Sequence, residues 1–170
     1  MPTFVMDLKF KNMKKLFITA AIATMFSFTA LAEDGGKKNT SEAGISKTAL
    51  THFATDFYTV TDVTWSISAN CQKAIFLQDG ITTTAFYDLS GQFIGTTNKV
   101  DYAIIPFDDK EAIAKKYAGY EVAEVIKFNY AGGDSSVNTI VYFIDLKKDG
   151  SEVILKTSPG ESLSFYKKIK

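Results

Sequence analysis

Two Asp-Gly pairs, Asp79-Gly80 and Asp149-Gly150, stand 70 positions apart in a chain of 170 residues. Each lies between runs of strand-forming residues: QKAIFLQ (72–78) and ITTTAFYD (81–88) in the first case, NTIVYFIDL (138–146) and SEVILKT (151–157) in the second. A two-residue hairpin of type I′ needs positive φ at both central positions, and Asp-Gly supplies that at little cost. Such a turn fixes which residues of the two strands face each other, and so fixes the register of the sheet. A second pair of turn marks, Ser90-Gly91 and Pro159-Gly160, is spaced by 69 residues and precedes or follows further strand-like runs, QFIGTT (92–97) and SLSFYKK (162–168).

The repeat extends upstream. Ile45, Ala49, Phe53, Phe57 and Val60 recur at helical spacing, which predicts an amphipathic helix over about 45–58, followed by a strand VTWSI (63–67). Pro106 opens a second helix, with Asp108, Asp109 and Glu111 near its start, Lys115 and Lys116 near its end, and Gly119 as a stop. A strand VAEVIKFNY (122–130) and the break AGGDSS come next. The chain thus reads as helix plus four strands, twice, over about 45–100 and 101–170. A different alignment would match FYD (86–88) to FID (143–145) and make Asp88 and Asp145 equivalent. Turn spacing opposes it: Asp88 then corresponds to the Lys156-Thr157 region and Asp145 to a position near Ile75. The scaffold repeats and the acidic side chains do not.

The N-terminus reads as a targeting segment. Lys9, Lys11, Lys14 and Lys15 precede the apolar run LFITAAIATMFSFTALA (16–32), which closes on Ala30-Leu31-Ala32. A basic start, an apolar middle and a small-x-small end describe a secretory signal peptide over 1–32, cleaved after Ala32, with translation starting at Met13. The run is short and interrupted by Thr and Ser for a membrane span, so no span is expected after cleavage. Residues 33–44 read as a flexible leader, and 45–170 as the folded domain. The protein is then periplasmic or secreted. Lysines and acidic residues balance at 19 each over the whole chain, and the exported part is mildly acidic. Arginine is absent, which removes the bidentate fork used for phosphate and guanine and argues against a nucleic-acid partner. The lone Cys71 permits no internal disulfide, so stability must come from core burial. Ile45, Leu50, Phe53, Phe57, Val63, Trp65, Ile113, Tyr117 and Val125 are the expected core.

Three stretches carry a family resemblance: FYTVTDVTW (57–65), KAIFLQDGITTTAFYDLSGQFIGTT (73–97) and IPFDDKEAIAKKYAGYEVAEV (105–125). The chain resembles the PepSY-like, beta-lactamase-inhibitor-like secreted proteins of Bacteroidetes over about 45–168. It departs from their pattern in the last hairpin, where Leu155-Lys156-Thr157-Ser158-Pro159-Gly160 replaces a second Phe-Asp-x-x-Gly. The resemblance implies an α+β fold: two helix-plus-four-strand repeats forming one antiparallel sheet with helices packed on one face. It also implies recognition of a protein by the open face. No inhibitory loop residue can be matched, so inhibition of a beta-lactamase does not carry over.

The residues themselves offer little chemistry. His52 and Asp56 form an i, i+4 pair that reads as a solvated surface pair, because no second His, Cys or Glu joins it. Asp145 and Asp149-Gly150 read as a hairpin, since Leu146, Lys147 and Lys148 fill the positions where a calcium loop needs oxygen ligands. Asp88 reads as a turn residue. Cys71 reads as a small apolar residue at a strand edge. No Gly-rich phosphate loop, nucleophile elbow or metal spacing occurs, and neither a cofactor nor a metal is expected. What remains is aromatic. In ITTTAFYDL and NTIVYFIDL both faces of the strand are apolar, so one face is either buried or offered to a partner. Tyr87, Phe86 and Tyr142 are the candidate binding residues. The expectation is an exported, non-catalytic binding module for a protein or peptide of the cell envelope. A secreted enzyme built on Asp, Glu and Tyr groups, or a small-ligand-binding periplasmic protein, is the alternative.

Overall fold

The computed structural model describes residues 42–131 and 139–169. The signal-peptide reading, nearly all of the leader and most of the AGGDSS break lie outside the described residues. The elements run α1 (Lys47–Asp56), β1 (Val63–Ile67), β2 (Gln72–Gln78), β3 (Ile81–Tyr87), β4 (Phe93–Val100), a 3-10 turn (Tyr102–Ile104), α2 (Phe107–Lys116), β5 (Glu121–Tyr130), β6 (Thr139–Lys148), β7 (Ser151–Thr157) and β8 (Ser164–Lys168). Helix plus four strands therefore occurs twice. The eight strands form one sheet in sequential order β1 to β8, and the pairings from β4 through β8 are all antiparallel. Both Asp-Gly turns have the anticipated backbone, with φ of 52° and 77° at Asp79-Gly80 and 45° and 81° at Asp149-Gly150.

By compactness the chain divides into two units: residues up to 75 with 86–94, and residues 76–85 with 95–170. In the first unit Ala49 and Phe53 of α1 are buried with Trp65, Cys71, Gln72, Ala74, Phe86 and Tyr87. Phe53 meets Trp65 edge-on at 5.3 Å, Trp65 meets Tyr87 at 5.7 Å, and Tyr87 meets Phe93 at 5.4 Å between ring centroids. This aromatic stack forms because Trp65, Tyr87 and Phe93 come from β1, β3 and β4 while Phe53 comes from the apolar stripe of α1.

The helix start is anchored by a polar bracket. Ser46 caps α1 through its hydroxyl, which accepts from the Ala49 amide at 3.2 Å. Gln72 of β2 accepts the Ser46 amide at 2.6 Å and donates to Ser46 Oγ at 3.1 Å and to the Asp88 carbonyl at 2.7 Å. A buried glutamine thereby ties the helix to the β3–β4 turn and satisfies its own amide. Gly91 in that turn packs so closely on the helix start that a Cβ there would lie 2.5 Å from Ser46 Oγ and 2.6 Å from the Ala49 nitrogen.

The second unit likewise packs a helix on strands, with other residues. Ile113 of α2 packs on Val125, Ile144, Leu146, Val153 and Leu155, with Ile105 closing the cluster. Asp109 lies in the first turn of α2 and is buried. Its Oδ2 accepts from Thr157 Oγ1 at 2.7 Å and its Oδ1 from the Leu163 amide at 3.2 Å, so it holds the segment that follows β7. Of the expected core residues, Leu50, Phe57, Val63 and Tyr117 are half-buried and the other five are buried.

Candidate functional site

Of the three candidate binding residues two are buried and the third is half-buried on the side that carries α2. Tyr87 is 0% exposed and Phe86 1% exposed, and Tyr142 is half-buried against the Ile113 cluster. Strand alternation does send Tyr87 and Phe86 to opposite faces, but burial on both faces removes the expected display. The Tyr87 hydroxyl has no hydrogen-bond partner, and its pKa is pushed well above the ordinary phenol value by burial and then by the charge of Asp56. His52 is half-buried rather than fully solvated, with Nδ1 unpartnered, while Asp56 is exposed. Asp88 is a turn residue: its Oδ1 accepts from Ser90 Oγ at 2.6 Å and the Gln92 amide at 2.9 Å. Cys71 is free and buried in the β1–β2 turn, with Sγ 3.4 Å from Ser68 Oγ. Asp149 occupies the hairpin turn. Among the described residues no group of three or more His, Cys, Asp or Glu side chains is placed to hold a metal ion.

A different surface draws side chains together. In the second unit, α2 packs on the face that carries Val125, Ile144, Leu146, Val153 and Leu155. Cross-strand pairing defines the opposite face, which carries no helix among the described residues of this unit and is called helix-free for that reason. Phe128 opposes Val141, Ile126 opposes Phe143, and Glu124 opposes Asp145 across β5 and β6; Ile154 opposes Asp145 and Glu152 opposes Lys147 across β6 and β7. Phe128, Phe143 and Ile154 form a buried floor. Half-buried Tyr130 lies against Phe128 at 6.1 Å, and Tyr166 meets Phe143 edge-on at 5.1 Å.

One end of this face is charged. Lys147 Nζ lies 3.3 Å from Asp145 Oδ2 and 3.6 Å from Glu152 Oε1, and Lys99 Nζ lies 3.7 Å from Glu124 Oε2. The Asp145 side chain is only 2% exposed, and its Oδ1 has no partner. Burial raises its pKa; Lys147 pulls the other way through its hydrogen bond and charge, and Glu152 and Glu124 push up again. The pKa of Lys147 is raised despite desolvation, because Asp145 and Glu152 favour its charged form. A cleft of about 460 Å³ adjoins this end; Lys147 and Glu152 line it together with Glu121, Lys148, Asp149 and Ser151. Lys148 latches one wall, donating to the Ala118 carbonyl at 3.3 Å with its ammonium 5.9 Å from the Tyr120 ring centre.

The charged end was within reach of sequence reasoning only in part. Alternation places Asp145 and Lys147 on one side of β6, yet nothing in the letters says that the side chain of Asp145 is buried. Its burial follows from the long strands on either side, which set Glu124 and Ile154 opposite it, with Phe143 next to it on the same face of β6.

Comparison with known proteins agrees with this architecture. No protein-family profile matches the chain, and no curated protein matches it. Solved structures do. A BLIP-like protein of Bacteroides fragilis superposes with a TM-score of 0.58 at 17% identity, over 73% of this chain and 86% of that one. A DUF2874 family protein of Bacteroides uniformis gives 0.61 at 15% identity, over 73% and 89%. A Bacteroides eggerthii protein described as "putative periplasmic" gives 0.60 at 12% identity, over 73% and 88%. At such identities the likeness establishes a shared α+β fold with one eight-stranded antiparallel sheet and two helices. No helix among the described residues is long and apolar enough to cross a membrane.

Proposed function

We propose that the chain is an exported, non-catalytic binding module that recognises a protein partner in the cell envelope through the helix-free face of strands β4–β8. The observation that supports this most is the two-sided apolar character of β5–β7. Helix α2 packs on one side, while Ile126, Tyr130, Val141 and Tyr166 lie half-buried on the other around the Phe128–Phe143–Ile154 floor. Half-buried apolar side chains beside a charged edge have the composition of a recognition surface, with Phe128, Phe143 and Ile154 buried beneath them. The structural likeness to BLIP-like and periplasmic-described proteins of Bacteroides is in keeping with this reading, and a PepSY-like affiliation is part of the proposal. Export after cleavage at Ala32 is part of it as well, as is a folded domain over 45–170 made of repeats at about 45–100 and 101–170.

Site-specific photo-crosslinking in the envelope tests it. A photoreactive phenylalanine in place of Tyr130 should give a discrete adduct, and the same group in place of exposed Asp108 on α2 should not. Adducts from Asp108 alone, or the same adducts from both positions, would refute the assignment to the helix-free face. The 460 Å³ cleft beside the β6–β7 hairpin favours one second reading, a small polar ligand held by its lysines and carboxylates. Binding of such a ligand would shift the resonances of Ser151 and Lys148 without giving any Tyr130 adduct.

A further inference from the structure

Among the described residues of the helix-free face, Asp145 is the acidic side chain that is almost wholly buried and half-unused. Its Oδ2 meets Lys147, whereas Oδ1 is enclosed and accepts nothing. A buried carboxylate oxygen without a donor is costly, because it has given up water and received nothing in return. The groups around it make the cost larger. Glu124 stands directly opposite across β5, and Glu152 lies across β7 beside the same lysine. Three carboxylates, Glu124, Asp145 and Glu152, share this end of the face with two lysines, Lys99 and Lys147, leaving one negative charge in excess. All three carboxylate side chains are largely enclosed, at 13%, 2% and 16% exposure. Both lysines are more than half exposed and free to swing.

We propose that Asp145 Oδ1 and Glu124 together form a subsite for a cationic side chain, an arginine guanidinium or a lysine ammonium, presented by the protein partner. This rests on the binding-module reading above and supplies the chemistry of its partner. Geometry favours an organic cation over a metal ion. Asp145 and Glu124 face each other across two antiparallel strands, a separation of roughly 5 Å between Cβ atoms, which a planar fork can bridge. A metal would need several carboxylates converging on one point, and none of the described acidic groups does so. Lys147 shows that this corner already holds one ammonium between Asp145 and Glu152. A second cation would satisfy Oδ1 and cancel the remaining charge. Entry would displace side chains that enclose Oδ1, and rotamer changes of that kind are common at interfaces. The pKa of Asp145, raised by burial and by Glu152 and Glu124, marks the same deficit of positive charge.

The test is an NMR titration of the full domain with the capped tripeptide acetyl-Gly-Arg-Gly-amide, at constant ionic strength. Norleucine-centred peptide and calcium chloride serve as separate arms. The arginyl peptide should shift the amides of Glu124, Asp145 and Glu152 along a saturable curve. Asp145→Asn should weaken binding roughly tenfold or more, as loss of a charge-assisted contact does, and Glu124→Gln should weaken it less. Asp108→Asn, exposed on α2, should leave it unchanged. The proposal fails if the arginyl peptide shifts nothing at these residues, if the norleucine peptide does as well, if calcium saturates the same resonances, or if Asp145→Asn binds as tightly as the parent. A Tyr130 adduct with no arginyl response would keep the binding module and discard the cation subsite. The converse result would discard the module and keep the subsite.

Discussion

Single residues carry opposite signs in this fold. Tyr87 is fully buried between Trp65 and Phe93, and its hydroxyl is unpartnered. Tyr87→Ala should therefore cost about 3–5 kcal/mol, the range for emptying a large aromatic site. Tyr87→Phe, which keeps the ring and deletes an unsatisfied polar atom, should be neutral or stabilising by up to about 1 kcal/mol. Urea denaturation of the two variants separates these outcomes. Asp145 gives the pH dependence. Its folded pKa is raised above the ordinary 3.8, so its contribution favours the fold below that value and is lost as pH rises through the folded value. Stability followed from about pH 4 upwards should fall by less in Asp145→Asn than in the parent. A larger fall in the variant would mean that the Lys147 pair outweighs burial.

Elements are where the sequence was most readable, and the reason is local. The strands 63–67, 72–78 and 151–157 coincide with the observed β1, β2 and β7, two of them ending or beginning at an Asp-Gly turn whose backbone has few alternatives. The ends of β4 and β8, which lack such punctuation, moved by a few residues, and the 3-10 turn at Tyr102–Ile104 carried no periodic signal. Asp109 shows the limit. Its place in the first turn of α2 suits the helix dipole, but only the packed fold reveals that it turns inward to Thr157 and Leu163. Asp109→Ala should cost about 2–4 kcal/mol by stranding two donors, whereas exposed Asp108→Ala should cost under about 1 kcal/mol. Turn glycines divide in the same way. Gly91→Ala meets Ser46 and Ala49 at once and has φ of 91°, so about 2–5 kcal/mol is expected. Gly150→Ala meets nothing within 4 Å and should cost only about 1–2 kcal/mol for its φ of 81°. Equal losses in the two glycine variants, measured by chemical denaturation, would contradict the close docking of the β3–β4 turn on α1.

For the whole molecule, repetition lies in the scaffold and difference in the polar groups. Gln72 and Ser46 tie the first helix to its turn, and Asp109 with Thr157 does the same work in the second unit, with no residue in common. The alternation of β3 and β6 announced apolar residues on both faces, but burial of Tyr87 and Phe86 shows that an aromatic letter on a second face does not by itself make a display surface. The candidate surface instead emerged from register, which set Glu124, Asp145, Lys147 and Glu152 side by side. Its proposed role is tested most directly by hydroxyl-radical footprinting of the protein, alone and in an envelope extract. Labelling of Tyr130 and Tyr166 should fall on complex formation, while Phe107, 72% exposed at the start of α2, and Tyr58 stay labelled. Protection of Phe107 with Tyr130 and Tyr166 unchanged would contradict recognition through the helix-free face.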